Sequence, residues 1–322
     1  MSTSAQARAL ALPQADLLAA CEARLHDAVD GSVAEVVRPA TETLAAGGKR
    51  VRPLLVFCSA PQPASRDEPL LAAAAAVELV HMATLVHDDL IDGATMRRGR
   101  PTVAEADGPE TAVRAGDFLF ARAFAELTRT GSMAAVQALA GAALDLSMGE
   151  MDQDDAAFNL DLAERDYLDR CRRKTAALFS AACRLGALVG GGGDAPVERL
   201  AAFGENVGMA FQIFDDILDL AGSPAVTGKP RGTDLADGTV TLPVILALRH
   251  EPELRKTLSE VAPGPDLEAL CDRLAAHPGL FQARERALAF AAAALGALEG
   301  DLGGADARSL RAIADGLVDR YS

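Results

Sequence analysis

The sequence predicts an all-α protein, and three observations carry that prediction. Alanine and leucine, both strong helix formers, dominate a chain of 322 residues that is half hydrophobic. β-branched runs are few, aromatics make up only 4% of residues, and tryptophan is absent. Apolar residues also recur at helical spacing along most of the length.

That periodicity predicts helices over Leu17 to Val29, Leu70 to Ile91, Val113 to Leu127 and Met133 to Gln153. It continues over Arg165 to Val189, Val197 to Leu220, Leu242 to Leu248 and Arg284 to Leu298. Between them, Pro61 to Pro69 reads as a polar loop, and the four glycines Gly190 to Gly193 as a helix stop. Gly222 to Gly238, rich in Gly, Pro and charge, reads as a loop of the kind that closes over a site. The alanine runs at 72–76 and 291–294 predict close helix packing in the core. No linker is long enough to split the chain, so one domain is expected over 1–322.

Charge and cysteine usage narrow the partners. With 46 acidic and 31 basic residues, the net charge is −15, which argues against nucleic acid or an anionic membrane as main partner. The five cysteines, Cys21, Cys58, Cys171, Cys183 and Cys271, are odd in number and scattered, as expected in a reducing cytosol. Met1 to Gln14 has no signal-peptide pattern. The most apolar run, Leu70 to Val86, contains Glu78 and His81 and is too short and polar for a membrane span. A cytoplasmic protein without stable membrane insertion is the expectation.

Two clusters share one spelling, DDxxD: Asp88, Asp89 and Asp92, then Asp215, Asp216 and Asp219. Each lies in an apolar run, Leu79 to Ile91 and Val207 to Leu220. On a helix, residues i and i+4 share a face, so each cluster stacks two carboxylates with a third beside them. Burying three such charges without compensation is costly, and hard oxygen donors suit Mg²⁺. Two such helices facing each other could hold a Mg²⁺-diphosphate between them. A solvated acidic surface explains one such cluster, but poorly explains two flanked by Val, Leu, Ile and Phe.

Basic residues accompany the clusters. Lys49, Arg50 and Arg52 follow Gly47-Gly48, where a tight turn leads into a helix start suited to anions. Arg97 and Arg98 follow the first cluster after one short loop; Lys174 neighbours Thr175, and Lys229 lies in the loop after the second cluster. His81 is two turns before Asp88 on the same face, where a satisfied core histidine is the plainer alternative. Gln212 is three residues before Asp215 and could order a metal-bound water, a phosphate oxygen or a plain interhelical hydrogen bond.

The chain resembles the trans-type isoprenyl diphosphate synthases of the polyprenyl synthetase family. The matching text is GGKRVRP at 47–53, VHMATLVHDDLIDGATMRRGRPT at 80–102, AGDFLFARAF at 115–124, GEMDQ at 149–153, KTAALFSAAC at 174–183 and GMAFQIFDDILDLAG at 208–222. GKPRGTDLADGTVTLP at 228–243 completes it, so the motif-bearing part runs from about 40 to 250. The resemblance implies a single antiparallel helical bundle around a deep central cavity, usually a homodimer. It implies head-to-tail condensation of an allylic diphosphate with isopentenyl diphosphate, with about three Mg²⁺ ions held by Asp88, Asp89, Asp92, Asp215, Asp216 and Asp219. Residue by residue, Lys49, Arg52, His81 and Arg98 match the isopentenyl diphosphate site. Arg97, Lys174 and Lys229 match the allylic site, while Thr175 and Gln212 match positions facing the carbocation.

One departure is Thr239, where family members often carry a second lysine in a DLxxGK pattern. Product length is implied by the side chains upstream of the first cluster. Ala83 and Thr84 are small, and Val80 and Val77 of medium size, so no aromatic floor stands there. Products of about twenty carbons or more are expected, leaning to about thirty or more. A geranylgeranyl diphosphate synthase is the alternative. A class I terpene cyclase fits less well, given the second DDxxD and the lack of Trp, and a non-catalytic subunit fits less well because both clusters are intact.

Overall fold

The computed structural model describes residues 14–31, 33–62, 67–222, 231–260 and 265–320. It is all-α. In chain order the helices are α1 (Ala15–Val29), α2 (Ala34–Ala45), α3 (Val51–Ser59), α4 (Glu68–Ile91), α5 (Val103–Asp107), α6 (Pro109–Thr128), α7 (Met133–Asp155) and α8 (Glu164–Cys171). A π-helical turn, Arg172–Ala176, follows. Then come α9 (Ala177–Val189), α10 (Asp194–Ala221), α11 (Thr233–Ala236), α12 (Leu242–His250), α13 (Leu254–Glu260), α14 (Pro265–Ala275), α15 (Pro278–Ala297) and α16 (Ala307–Arg320). Among the described residues the only sheet is an antiparallel pair, β1 (Met96–Arg97) with β2 (Arg100–Pro101).

Proline in the first turn starts α4, α6 and α12, where its missing N–H costs nothing. Thr102 caps α5 by accepting from the Glu105 N–H at 3.2 Å. The glycine run ends α9 at Val189, as its sequence predicts. α2 went unpredicted, and Pro39 lies inside it. α13, α14 and α16 lie in the C-terminal part, where the expected pattern begins only at Arg284. The predicted helix from Arg165 to Val189 exists but is interrupted by the π turn.

The chain forms two compact units. The first comprises Met1–Ala143, Leu178–Gly204 and Ala297–Ile313. Its core is built on α4, where Ala72 to Ala76 are fully buried, with Phe57, Leu79, Leu119 and Leu127 also enclosed. By length and composition α4 could cross a membrane, but 72% of its most apolar window is buried inside the protein. The second unit comprises Leu144–Ala177, Glu205–Gly296 and Ala314–Ser322. Its core gathers Tyr167, Met209, Ile213, Phe214, Leu242, Leu246, Cys271 and Ala287. The second alanine run departs from expectation: Ala291 and Ala294 are buried, while Ala292 and Ala293 face solvent. One side of α15 packs and the other is wet.

The two alanine runs therefore respond differently to added bulk. Ala75→Leu overpacks a closed core and should cost about 1–3 kcal/mol, whereas Ala292→Leu should be near neutral. Thermal midpoints of the two variants check this.

Candidate active site

In the first unit, the acidic motif sits at the C-terminal end of α4. Asp88 is half-buried and Asp92, the last helical carbonyl's cap, is exposed; the two stack at i and i+4. Asp89 between them turns inward and is buried. Arg97 Nε donates to Asp89 Oδ1 at 2.7 Å. The β1–β2 hairpin makes this possible. Arg98 (φ 51°) and Gly99 (φ 76°) adopt left-handed backbone at its turn and reverse the chain towards α4.

The same unit assembles the predicted cations. Gly47 (φ 75°) and Arg50 (φ 49°) are left-handed and wind the basic turn onto the start of α3. Lys49 is exposed there, and Arg52 is half-buried. The Arg52 guanidinium lies 4.6 Å from the Phe179 ring centroid, and its buried Nε has no hydrogen-bond acceptor among the described residues. Burial pushes the Arg52 guanidinium down to about 10. Arg98 reaches the glycine turn: a Cβ on Gly48 would meet its Nη1 at 3.1 Å. Burial and the nearby Arg50 and Arg97 lower Arg98 as well. His81 is held well below the ordinary histidine value by burial, then by Arg52, Arg98, Arg97 and Arg50. Several cations thus crowd one neutral imidazole, an arrangement that an incoming anion would relieve.

In the second unit, α10 carries the second motif, again with its middle aspartate buried. Asp215 is exposed and Asp219 half-buried, while Asp216 is turned inward. Tyr167 OH donates to Asp216 Oδ2 at 2.5 Å, and Gln212 Nε2 to Oδ1 at 2.7 Å. Thr175 Oγ1 donates to Gln212 Oε1 at 2.6 Å, extending the chain of bonds to the π turn. Burial, with Asp215 adding, pushes the Asp216 carboxyl up to about 7 against the pull of Tyr167, Gln212 and Arg170. Asp219 accepts from the Thr233 and Asp234 N–H groups at 3.1 and 3.3 Å, which anchors α11.

Lys174 stands on the π turn, and its Nζ lies 2.7 Å from Glu150 Oε2. π turns often mark functional positions, because they shift side chains out of helical register. Gly149 allows α7 to approach this turn: a Cβ there would meet the Lys174 N at 2.5 Å. Lys229 lies outside the described residues. Thr239 donates its N–H to the Asp234 carbonyl at 2.7 Å.

Tyr167, Glu150 and Gly149 are the residues that sequence reasoning missed. A lone tyrosine in an aromatic-poor stretch seven residues before Lys174 is the signal for Tyr167, since a buried phenol needs a partner.

The donors fit a divalent cation. Among the described residues no three His, Cys, Asp or Glu side chains form a ready metal cluster. Mg²⁺ usually takes one or two carboxylates and completes its shell with water and substrate phosphate oxygens. The stacked pairs Asp88/Asp92 and Asp215/Asp219 are hard-oxygen donors of that kind, and the cations nearby suit the phosphates.

Comparison with known proteins decides the family. The polyprenyl synthetase pattern matches residues 33–269. The chain belongs to the polyprenyl synthetase family. It is 43% identical over 252 residues to heptaprenyl diphosphate synthase component 2 of Geobacillus stearothermophilus, covering 78% of each chain. Among solved structures it is similar to a decaprenyl diphosphate synthase from Rhodobacter capsulatus, at 35% identity and a TM-score of 0.89 over 98% of this chain and 99% of that one. A polyprenyl synthase from Caulobacter crescentus, complexed with calcium and isoprenyl diphosphate, gives 33% identity and a TM-score of 0.87 over 100% and 98%. The trans-prenyltransferase class, and the divalent-metal chemistry general to this family, come with that membership.

Removing the phenol should loosen the inner carboxylate of the second motif. Tyr167→Phe should raise the divalent-cation concentration for half-maximal turnover by about tenfold, as loss of an outer-shell partner does elsewhere. A Mg²⁺ titration of activity, with folding checked by circular dichroism, measures it.

Proposed function

We propose that this chain is a Mg²⁺-dependent synthase that lengthens an allylic diphosphate with isopentenyl diphosphate into an all-trans polyprenyl diphosphate. The observation that carries this reading is the posture common to both acidic motifs. In each, an outward pair of carboxylates brackets an inward one that the protein itself holds. Asp88, Asp89, Asp92, Asp215, Asp216 and Asp219 serve the metal, the inward members by fixing their neighbours. When bound, Mg²⁺ supplies charge stabilisation to the departing pyrophosphate.

Lys49, Arg52, His81 and Arg98 hold the isopentenyl diphosphate, with His81 neutral and donating or accepting through its ring nitrogens. Arg97, Lys174 and Lys229 hold the allylic diphosphate. The allylic C–O bond breaks, its electron pair leaving with pyrophosphate. The isopentenyl double bond attacks the allylic carbon and forms the new C–C bond. A proton then passes to pyrophosphate, which restores a double bond in a product five carbons longer. Thr175 and Gln212 face the cation, their oxygens bonded to each other while the Gln212 Nε2 donates to Asp216. No protein acid–base pair is required.

The exposed side of α7 supports assembly. Met133, Leu144, Met148 and Met151 face out while Leu139, Ala142, Leu146 and Gly149 are buried. We assign that face to a second copy of the chain, giving a homodimer of single-domain subunits in the cytoplasm. The Geobacillus relative is named as a component, so pairing with an unlike subunit is the second reading.

Purified protein with Mg²⁺, labelled isopentenyl diphosphate and farnesyl or geranylgeranyl diphosphate should elongate without any partner. Products of about thirty carbons or more are expected, because Ala83 and Thr84 put no aromatic side chain at the fifth and fourth positions before Asp88. A stop at about twenty identifies a geranylgeranyl diphosphate synthase, and no elongation overturns the reading in favour of a subunit that needs a partner. Ala83 proves fully buried and Thr84 half-buried, so Thr84 is the more open position on that turn. Thr84→Phe should shorten the product, and Ala83→Phe should shorten it at an added stability cost of about 1–3 kcal/mol. Sizing the dephosphorylated products tests both.

A further inference from the structure

Arg50 stands between two residues assigned to the isopentenyl diphosphate site, yet its guanidinium is taken up by two glutamates. Nε and Nη2 donate to the two carboxylate oxygens of Glu22 at 2.8 and 2.9 Å. Nη1 donates to Glu78 Oε1 at 2.8 Å, and Nη2 also to the Leu44 carbonyl at 3.2 Å. This one side chain therefore ties α1, the end of α2 and α4 to the start of α3. Glu78 is buried and Glu22 half-buried. Such a bidentate, partly desolvated pair is far stiffer than an exposed ion pair.

The backbone of Arg50 makes the tie consequential. Its left-handed conformation (φ 49°, ψ 39°) sets the direction in which α3 begins. A non-glycine residue stays in that region only where the surroundings hold it. Lys49 is the residue before it, and Arg52 is in the first turn after it. Glu78 is one turn before His81 on α4. The clamp thus fixes the frame on which Lys49, Arg52 and His81 stand. It also neutralises one cation of a crowded positive cluster, with Arg50 holding the Glu22 carboxyl below the ordinary range.

We infer that Glu22, acting through Arg50, is a positioning residue for the isopentenyl diphosphate site. This rests on the assignment of Lys49, Arg52 and His81 to that substrate. Glu22 lies on the N-terminal helix, before the stretch at 33–269 that matches the family. None of the residues assigned to the allylic diphosphate is hydrogen-bonded to Arg50 among the described contacts.

The test is a split between two Michaelis constants. Glu22→Gln keeps the side-chain volume and an acceptor oxygen but loses the charge. It should raise KM for isopentenyl diphosphate by about tenfold, the effect of one charge-assisted hydrogen bond, and leave KM for the allylic primer within about twofold. Arg50→Lys should give the same signature, and the double variant should be no worse than either alone. Two controls accompany them: the thermal midpoint, and Lys49→Ala. An equal rise in both constants, or a lowered midpoint with KM for isopentenyl diphosphate unchanged, would overturn the inference and leave Glu22 a purely structural residue. If Lys49→Ala itself leaves that KM unchanged, the assignment of the site falls, and the inference falls with it.

Discussion

Carboxylates carried on apolar helices are the constraint on which the local structure of both acidic motifs depends. α4 and α10 are core helices, and each carries three aspartates near its C-terminal end, where the helix dipole already disfavours negative charge. The middle aspartate in each motif is the one that enters the protein. Its desolvation must be offset locally, because an unpaired buried charge costs several kcal/mol. The first unit answers with a cation, Arg97, brought back by a two-residue hairpin. The second answers with two neutral donors, Tyr167 and Gln212. Burial, only partly offset by these neutral donors, pushes the Asp216 carboxyl up to about 7. The hairpin at one site, and the π turn with its glycine contact at the other, are what these two solutions require of the backbone.

The first unit holds the opposite problem as well. Arg50, Arg52, Arg97, Arg98 and His81 lie close enough to perturb one another. Arg50 is satisfied by two glutamates and Arg97 by Asp89, while Arg52 rests on a phenylalanine ring with a buried N–H unfilled. A protein that only needed stability would gain by replacing such a residue with an apolar one. An unfilled guanidinium donor beside a neutral imidazole is better explained as preorganisation for a bound phosphate, where donors are in place before the ligand arrives.

Much of this was legible in the sequence because helical periodicity and the two acidic motifs are local signals. α4, α7 and α10 follow directly from apolar spacing, and each residue's place in a DDxxD motif fixes its face. What escaped depends on contacts between distant segments. Tyr167 is 49 positions from the carboxylate it holds. Glu22 is 28 from the arginine that needs it. Gly149 gains meaning only from the backbone of Lys174 lying against it. Pro39 lies inside α2, where tertiary packing outweighs its local tendency to break a helix.

Identical spelling does not make the two motifs equivalent. α4 ends at Ile91, so Asp92 caps the helix and its side chain is exposed beyond the last turn. α10 continues to Ala221, so Asp219 remains within the helix and half-buried. From there it can reach the N–H groups of Thr233 and Asp234, which an exposed cap could not. The Gly232 N–H adds a bond to the Asp219 carbonyl at 2.9 Å. The third aspartate of the second motif therefore couples the acidic helix to the segment that returns after residue 230. Loss of its charge would release that segment as well as a metal donor. The third aspartate of the first motif has no such second duty among the described contacts. The two positions thus differ in what they hold, although a motif search scores them alike.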